Sequence, residues 1–352
     1  MVLGGSAGLD VRAIRINGGE ETVPVTWPTR NTWSITLPVV AGANPFLIEA
    51  IGFGGDVVGS DTITVTGTGA VEPAGPGNLV ISELQYHPAD LVATEAPFTD
   101  AEDFEFIELQ NIGKAVVSLN GVRFTAGITW TAPATATIPP GGRVVIPRRT
   151  AAFTLRYPGV ATLPEYYQAG GNVLSNAGEE IALVDGSGAD IRRFRYSDSA
   201  PWPNVADGGG PSLVLIAPGL NPDHADPLNW RSSLAAGGQP GGSDAIPPPG
   251  DPSGDSDGDG LSNLLEYATG GSRPEFQVAA DGSSLAVDFV RARGVEAVPG
   301  VQLSGNLQSW QAQAAELLDR SFLADGSERI RLRVAVPAGS PSHFARLIFR
   351  VP

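Results

Sequence analysis

Short runs in which apolar and polar residues alternate recur along this chain of 352 residues. Near the start, apolar positions that share one face of a strand are Trp33, Ile35, Leu37 and Val39. Glycine-containing turn signals at residues 17–19 and 54–55 separate such runs. Because side chains of a strand alternate between its two faces, this pattern predicts strands joined by hairpins. About sixty residues of it predict a small Ig-like β-sandwich over residues 1–68.

A longer series of strands is predicted from Asn78 onwards. The segments are Leu79–Leu84, Phe104–Leu109, Val122–Phe124, Arg143–Ile146, Glu180–Val184, Ile191–Tyr196 and Ser212–Ile216. Seven strands over about 140 residues favour a second sandwich, at residues 78–242. Helical periodicity is weak throughout, so the predicted fold class is all-β, with tandem Ig-like sandwiches joined by Pro/Gly-rich linkers.

Two stretches rich in proline and glycine read as linkers. Residues 67–77 form the first, and residues 243–254, which contain Pro247, Pro248 and Pro249, form the second. Consecutive prolines lack the N–H groups of a ladder and favour an extended spacer. Beyond a short loop and helix at 255–271, a C-terminal β domain is expected at 272–352. Its predicted strands are Leu285–Val290, Val301–Leu303, Arg329–Val336 and Phe344–Val351.

Charge and composition narrow the possible functions. The net charge is −16, and this argues against nucleic acid as a partner, since a phosphate-binding surface needs a basic patch. No apolar run approaches the ~18 residues of a spanning helix. There is no cysteine, which excludes thiol catalysis, disulfides and cysteine–zinc sites. The N-terminus lacks the basic and apolar regions of a secretion signal, and we expect the chain to be a fragment of a longer exported protein.

The sharpest motif is the segment Asp255–Glu266, D-S-D-G-D-G-L-S-N-L-L-E, which fits the D-x-D-x-D-G-x5-E pattern of calcium loops. Ca²⁺ prefers six to eight oxygen ligands, so carboxylates at alternate positions point inward while glycine permits the turn. The predicted ligands are the side chains of Asp255, Asp257, Asp259 and Glu266, the carbonyl of Leu261, and Asn263 directly or through water. The alternative is an acidic, solvated linker that holds no ion.

The residues on either side of this loop distinguish it from a complete EF-hand. Proline and glycine precede it, so no entering helix is expected, and the exiting helix, predicted over Leu261–Thr269, ends at Gly270-Gly271. The loop resembles dockerin-type or thrombospondin type 3 calcium loops, which brace joints between domains.

Seven segments in the middle of the chain follow one another in a distinctive order: Leu79–Pro88 (LVISELQYHP), Phe106–Asn111 (FIELQN), Val117–Gly121 (VSLNG), Leu174–Leu183 (LSNAGEEIAL), Tyr196–Leu215, Asn229–Arg231 and Gln239–Gly242. With these segments, residues 78–242 resemble the bacterial type of lamin-tail domain. The resemblance implies an Ig-like sandwich with an accessory, non-catalytic role in an exported protein. The N-terminal module is similar to short Ig-like modules of bacterial exported proteins.

Two other kinds of site are possible. Acidic residues at Asp100–Glu108, together with His87, could build a metal-assisted hydrolase, although Glu105 and Glu108 fall on opposite faces of one strand and solvated charge is the favoured interpretation. His87 itself is expected to be a turn residue. Trp130, Trp202 and Trp230 could form a sugar-stacking platform of a carbohydrate-binding module, although such tryptophans are more often packing residues.

The leading hypothesis is therefore a non-catalytic extracellular or cell-surface module that binds a protein or polysaccharide surface, with Ca²⁺ as its cofactor.

Overall fold

The computed structural model describes residues 2–17, 25–36, 42–67, 71–169, 171–279, 282–337 and 344–352. This described chain is mostly β-strand in several sheets, with two α-helices, Thr150–Arg156 (α1) and Asn263–Thr269 (α2). The predicted all-β fold of Ig-like sandwiches is confirmed. Leu37, Val39, Gly18, Gly19 and His343 lie outside the described residues. Met1–Pro73 with Gly113–Ser118 form one compact unit, and Ala74–Ile112 with Leu119–Pro352 form another.

The described part of the first unit contains seven strands: Val2–Ser6 (β1), Val11–Ile16 (β2), Thr32–Thr36 (β3), Gly42–Gly52 (β4), Val57–Gly67 (β5), Val71–Pro73 (β6) and Val116–Ser118 (β9). Antiparallel pairing joins β1 to β3 and orders the second sheet β2-β4-β5, while β6 pairs in parallel with β9. The core contains Ile14, Trp33, Ile35 and Ile48. Gly5 lies against Trp33, since a Cβ there would lie 2.6 Å from the indole ring.

The second unit begins with a two-layer sandwich. Its strands are Leu79–Gln85 (β7), Phe106–Asn111 (β8), Arg123–Ala126 (β10), Trp130–Thr131 (β11), Thr137–Ile138 (β12), Arg143–Pro147 (β13), Glu180–Val184 (β14), Asp190–Arg195 (β15), Leu213–Leu215 (β16) and Trp230–Ser232 (β17). One sheet has the order β13-β8-β7-β16-β17 and the other β11-β10-β14-β15. All seven residues of β7 are buried because this strand occupies the centre of the five-stranded sheet.

Aromatic side chains fill the space between these two sheets. Phe194 of β15 stacks on Trp230 of β17 with ring centroids 5.5 Å apart, and Tyr86 packs on Tyr196 at 4.8 Å. Helix α1 packs on the same sandwich, where Phe153 meets Phe106 edge-on at 5.6 Å. Such edge-to-face and offset contacts add to the burial of large apolar surfaces.

The remainder of the second unit is a second pair of sheets. Its strands are Glu275–Val278 (β18), Ser284–Arg291 (β19), Val298–Ser304 (β20), Gln311–Gln313 (β21), Ala315–Phe322 (β22), Glu328–Ala335 (β23) and Phe344–Arg350 (β24). The sheets have the orders β18-β19-β23-β22 and β21-β20-β24, and Phe289 meets Phe349 between them at 5.8 Å. Burial alternates strictly along β19, as period-2 patterning requires. Helix α2 contributes the fully buried Ala268 to this core.

The proline-rich segment 243–254 makes specific contacts on both sides. The Asp244 carboxylate forms an ion pair with Arg231 at 2.5 Å. Ile246 N donates to Gly294 O at 2.8 Å, and Ile246 O accepts from the hydroxyl of Tyr267 at 2.6 Å. These bonds attach the segment to strand β17, to helix α2 and to the turn that follows β19.

Candidate metal site

The carboxylates of Asp255, Asp257 and Asp259 converge at the exposed surface of the second unit. One oxygen from each lies within 4.8 Å of the others. Within the described chain these three residues form the one group of acidic or histidine side chains arranged closely enough to share a metal ion. The loop can turn back on itself because Gly258, between Asp257 and Asp259, and Gly260, after Asp259, take left-handed backbone angles with φ of +77° and +87°.

Backbone hydrogen bonds hold the carboxylates in place. Asp255 accepts from Gly258 N at 2.8 Å through one oxygen and from Gly260 N at 3.0 Å through the other. Asp259 accepts from Leu261 N at 2.7 Å. Each carboxylate oxygen has more than one lone pair. These bonds therefore position the carboxylates and leave other lone pairs available to a ligand.

Glu266, on helix α2, lies within the electrostatic field of the three aspartates. Partial burial and the negative charges of Asp257, Asp259 and Asp255 raise the pKa of Glu266. A bound cation would offset the repulsion that these aspartates exert on Glu266.

Both polar atoms of the Asn263 side chain form hydrogen bonds with backbone atoms of its own loop and the residues before it. Its Oδ1 accepts from Ser256 N at 3.0 Å, and its Nδ2 donates to Asp251 O at 2.8 Å. Asn263 therefore closes the loop through hydrogen bonds to its backbone. The side chain of Leu261, the predicted carbonyl ligand, is buried and anchors the loop.

Arg273 forms an ion pair with one member of this group, Asp259. Its Nη2 donates to Asp259 O at 2.6 Å and lies 3.6 Å from Asp259 Oδ2. Both side chains are exposed, so the attraction is weak. A divalent ion at the loop would compete with this guanidinium for Asp259.

The interpretation of Asp100–Glu108 as solvated charge is wrong for Asp103, Glu105 and Glu108, which are all buried. Asp103 forms an ion pair with Arg148 at 2.8 Å. Burial raises the pKa of Glu105 to about 8, and that carboxylate accepts from Tyr166 Oη at 2.8 Å.

Glu108 is bound by several donors. Its carboxylate accepts from Arg143 Nη1 at 2.6 Å, from Ser82 Oγ at 2.6 Å and from Gly241 N at 2.6 Å. Each donor comes from a distant part of the chain, which is why local sequence suggested exposure. Together with Asp103 and Glu105, it is a structural group within the sandwich, and the structure does not assemble these residues into a hydrolase site.

The histidines also take structural positions. His87 Nδ1 lies 2.5 Å from Asp207 Oδ1 at a partly exposed turn. His224 is buried, which lowers its pKa to about 3, and its Nε2 lies 3.2 Å from both N and O of Ile81. It is therefore a neutral core residue.

The sugar-stacking platform is also corrected by the structure. Trp130, Trp202 and Trp230 are all buried, and Trp202 and Trp230 pack on each other at 6.0 Å within the sandwich. Their ring faces are covered by other aromatic groups and cannot stack on a sugar. The three tryptophans are therefore packing residues, as the second interpretation expected.

Sequence reasoning missed an internal ion-pair cluster. Glu328 Oε2 lies 2.7 Å from Arg291 Nη2 and 2.8 Å from Arg320 Nη2. Burial alone would raise the pKa of Glu328, but the two guanidinium groups outweigh it and hold that pKa below its usual value. No local signal marks this cluster, because Arg291 lies 37 residues from its partner.

The same arginines reach across to the first sandwich of the unit. Arg320 Nη1 donates to Pro227 O at 2.6 Å and its Nη2 to Trp230 O at 2.8 Å. Arg291 Nη1 donates to Leu228 O at 2.6 Å. The cluster thus joins two pairs of sheets through charged hydrogen bonds.

The described chain consists of Ig-like sandwiches with buried ion pairs and an exposed acidic loop. The family model described as Lamin Tail Domain matches residues 72–198, so the predicted resemblance to a lamin-tail domain, without regard to its bacterial type, is confirmed over that range. The lamin tail domain is an Ig-like, non-catalytic module. The five-stranded sheet continues past the match through β16 and β17. The comparison with curated proteins gives no match.

Across the described ranges, no helix is long and apolar enough to cross a membrane.

Proposed function

We propose that this chain is a non-catalytic structural and interaction module of an extracellular or cell-surface protein, bacterial in type by its resemblance, in which Ca²⁺ bound at Asp255–Glu266 braces the connection between two sandwiches. The observation that carries the proposal is the convergence of the three aspartate carboxylates within 4.8 Å. Oxygen donors of this kind suit a hard cation.

The position of the loop supports a bracing role. It follows the segment fastened through Asp244 and Ile246, and it leads directly into helix α2. That helix buries Ala268 in the C-terminal core. An ion that fixes the loop therefore also fixes the path of the chain from one pair of sheets to the next.

The stabilisation expected from calcium is modest. Loops of extracellular modules bind calcium with Kd of roughly 10⁻⁴–10⁻³ M. At about 1 mM calcium and a Kd of about 0.1 mM, binding adds about 1 to 2 kcal/mol to the free energy of unfolding. At the tighter end of this range most sites are occupied at about 1 mM calcium, which suits a brace better than a switch.

Titration calorimetry of the full chain tests this proposal. Calcium is expected to bind with one site per chain and to raise the melting temperature. Asp257→Asn should weaken binding by roughly tenfold or more, because it removes a charged ligand. Asp319→Asn, an exposed carboxylate on β22, is the matched control and should leave binding unchanged. Absence of binding heat and of any melting shift at about 5 mM calcium, a concentration about fivefold to fiftyfold above such Kd values, would refute ligation.

The interaction role rests on the sandwich matched to the lamin tail family. A rigid sandwich displays loops and strand edges to a partner without moving its core. Pull-down with the full chain and with a chain lacking 74–242 would locate partner binding, and capture that survives the deletion would contradict this assignment.

A further inference from the structure

A groove of 520 Å³ lies between the two sheets of the first unit. Strand β1 borders one side and strand β5 the other, and the core residues Ile14, Trp33 and Ile48 line its floor. Within the described chain, β1 pairs with β3 alone and β5 with β4 alone, so each strand lies at the edge of its sheet. The groove is therefore bordered by two strand edges whose backbone groups can pair with a further strand.

The inner face of β5 is uncovered along this groove. In the pairing of β5 with β4, Asp61 lies opposite the core residue Ile48. Ile63 lies opposite Phe46, which packs against the same core. Directly opposite residues of an antiparallel pair share one face, so Asp61 and Ile63 face inward. Ile63 is nonetheless 39% exposed, which means that the described strands of the facing sheet do not cover it.

One strand added beside β1 would cover this face. Neighbouring strands lie about 4.8 Å apart and stacked sheets about 10 Å apart, so a strand at the free edge of β1 extends its sheet over β5. Edge strands that must stay unpaired usually carry charged side chains or proline. Strand β1, with the sequence VLGGS, has neither. Its edge is therefore suited to pairing.

The charges of the groove favour a cationic occupant. Asp10 and Asp61 line it and are exposed, and no arginine or lysine lines it within the described part of the chain. A second copy of this protein would bring a net charge of −16 towards these carboxylates. A segment with a basic residue is attracted instead, because complementary potentials steer and orient binding.

We propose that an extended segment of a partner protein binds in this groove by adding a strand to β1. Its inward-facing residues are aliphatic, basic and aliphatic in turn. The basic side chain lies over Asp61, and the aliphatic side chains lie over Ile63 and Gly59, since alternate residues of a strand share one face. Main-chain hydrogen bonds to β1 supply affinity, and the side chains supply selectivity. This site lies within the first unit and depends neither on the calcium loop nor on the lamin-tail sandwich.

Calorimetric titration of the full chain with the peptide TVTRTVT, capped at both ends, tests the proposal. The two valines and the arginine share one face of this peptide when it is extended. We expect saturable binding at one site per chain, with slower deuterium exchange at Val2–Ser6. The peptide TVTETVT, which places a carboxylate over Asp61, should bind at least about tenfold more weakly because like charges then meet.

Two variants and a matched control separate the groove from the rest of the surface. A Cβ at Gly59 would meet Ala50 Cβ at 4.0 Å, which is ordinary contact, so Gly59→Leu should melt no lower than the parent protein. By filling the groove it should weaken binding of TVTRTVT about tenfold or more. Asp61→Asn should weaken binding about two- to fivefold, the effect of one exposed ion pair. Thr62→Leu, on the opposite face of β5 beside the exposed Leu47, is the control and should leave binding unchanged.

Four results would each overturn the proposal. They are no saturable binding of TVTRTVT, equal binding of TVTRTVT and TVTETVT, undiminished binding to both Gly59→Leu and Asp61→Asn, and unchanged exchange at Val2–Ser6 when the peptide is bound. Sedimentation of the full chain without peptide tests the competing occupant. The proposal expects a monomer at this site, and a dimer that Gly59→Leu dissociates would assign the groove to a second copy and contradict it.

Discussion

Replacing Glu328 with glutamine removes a carboxylate that two buried arginines share. The side chains of Arg291, Arg320 and Glu328 are 1%, 0% and 8% exposed. Removing one member of a buried ion pair costs about 3–5 kcal/mol, because the remaining charge stays buried without compensation. Here two guanidinium groups lose their counter-ion. They keep their bonds to backbone carbonyls. From the range for a broken buried pair, we expect Glu328→Gln to lower the free energy of unfolding by about 4 kcal/mol.

Urea unfolding followed by tryptophan fluorescence measures this loss, since Trp230 accepts through its carbonyl from Arg320. The matched control is Glu316→Gln. Glu316 pairs with Arg333 at 2.5 Å on the same sheet, but the two side chains are 59% and 48% exposed. Its loss should cost less than about 1 kcal/mol. Equal losses for the two variants would refute the assignment of Glu328 to a buried joint.

The pH dependence provides a second criterion for the same variant. Because the folded pKa of Glu328 is lowered, its stabilisation is complete above the unfolded pKa and is lost as the pH falls through the folded pKa. The difference between the parent protein and Glu328→Gln should therefore shrink below about pH 4. A difference that stays constant down to pH 2.5, well below the usual glutamate pKa of about 4.3, would contradict the electrostatic explanation.

Three further predictions concern a buried carboxylate, a glycine with a left-handed backbone angle and an exposed arginine beside the calcium loop. Burial raises the pKa of Glu83 to about 8, so thermal stability should fall as pH rises from about 4.5 to 8, and Glu83→Gln should flatten that decline in melts across this range. Gly238→Ala should cost about 2 kcal/mol or more in urea unfolding, since φ is +77° and its Cβ would lie 1.8 Å from Glu83 Oε1, whereas Gly250→Ala, with open space around it, should be nearly neutral. Arg273→Gln should tighten calcium binding about two- to fivefold in calorimetry by freeing Asp259, and unchanged affinity would argue against competition.

Features fixed by neighbouring residues were predictable from the sequence. The strands at 180–184 and 143–147 and the end of helix α2 at Gly270, where φ is +63°, follow from alternation and from a glycine that accepts a left-handed angle. The convergence of the loop aspartates also follows from spacing. These are local effects, in which a few adjacent residues decide the backbone.

Features fixed by distant residues were not predictable. Glu108 looks like an exposed strand residue in sequence, yet its partner Gly241 lies 133 residues away. Helix α1 is only seven residues long, and its Phe153 is defined by packing on Phe106 and not by periodicity. Strand β22 was missed because most of its residues are exposed and give no apolar alternation. Burial of a charge depends on the fold that surrounds it.

The partial coverage of the family match has a physical counterpart in the sheet order. The match ends at residue 198, but β16 lies directly beside the central strand β7, with Leu213 opposite Leu84. The sandwich is therefore incomplete without strands that come later in the chain. Expression of 72–198 alone is expected to give an unfolded or aggregating product, because β7 would become an exposed apolar edge.

Hydrogen–deuterium exchange of the full chain, with 1 mM calcium and with chelator, tests the calcium brace most directly. We expect calcium to slow exchange at residues 251–269 and to leave the fully buried strand Leu79–Gln85 unchanged. Identical exchange at residues 251–269 in the two conditions would contradict the account, since an ion that braces the connection must slow local opening there.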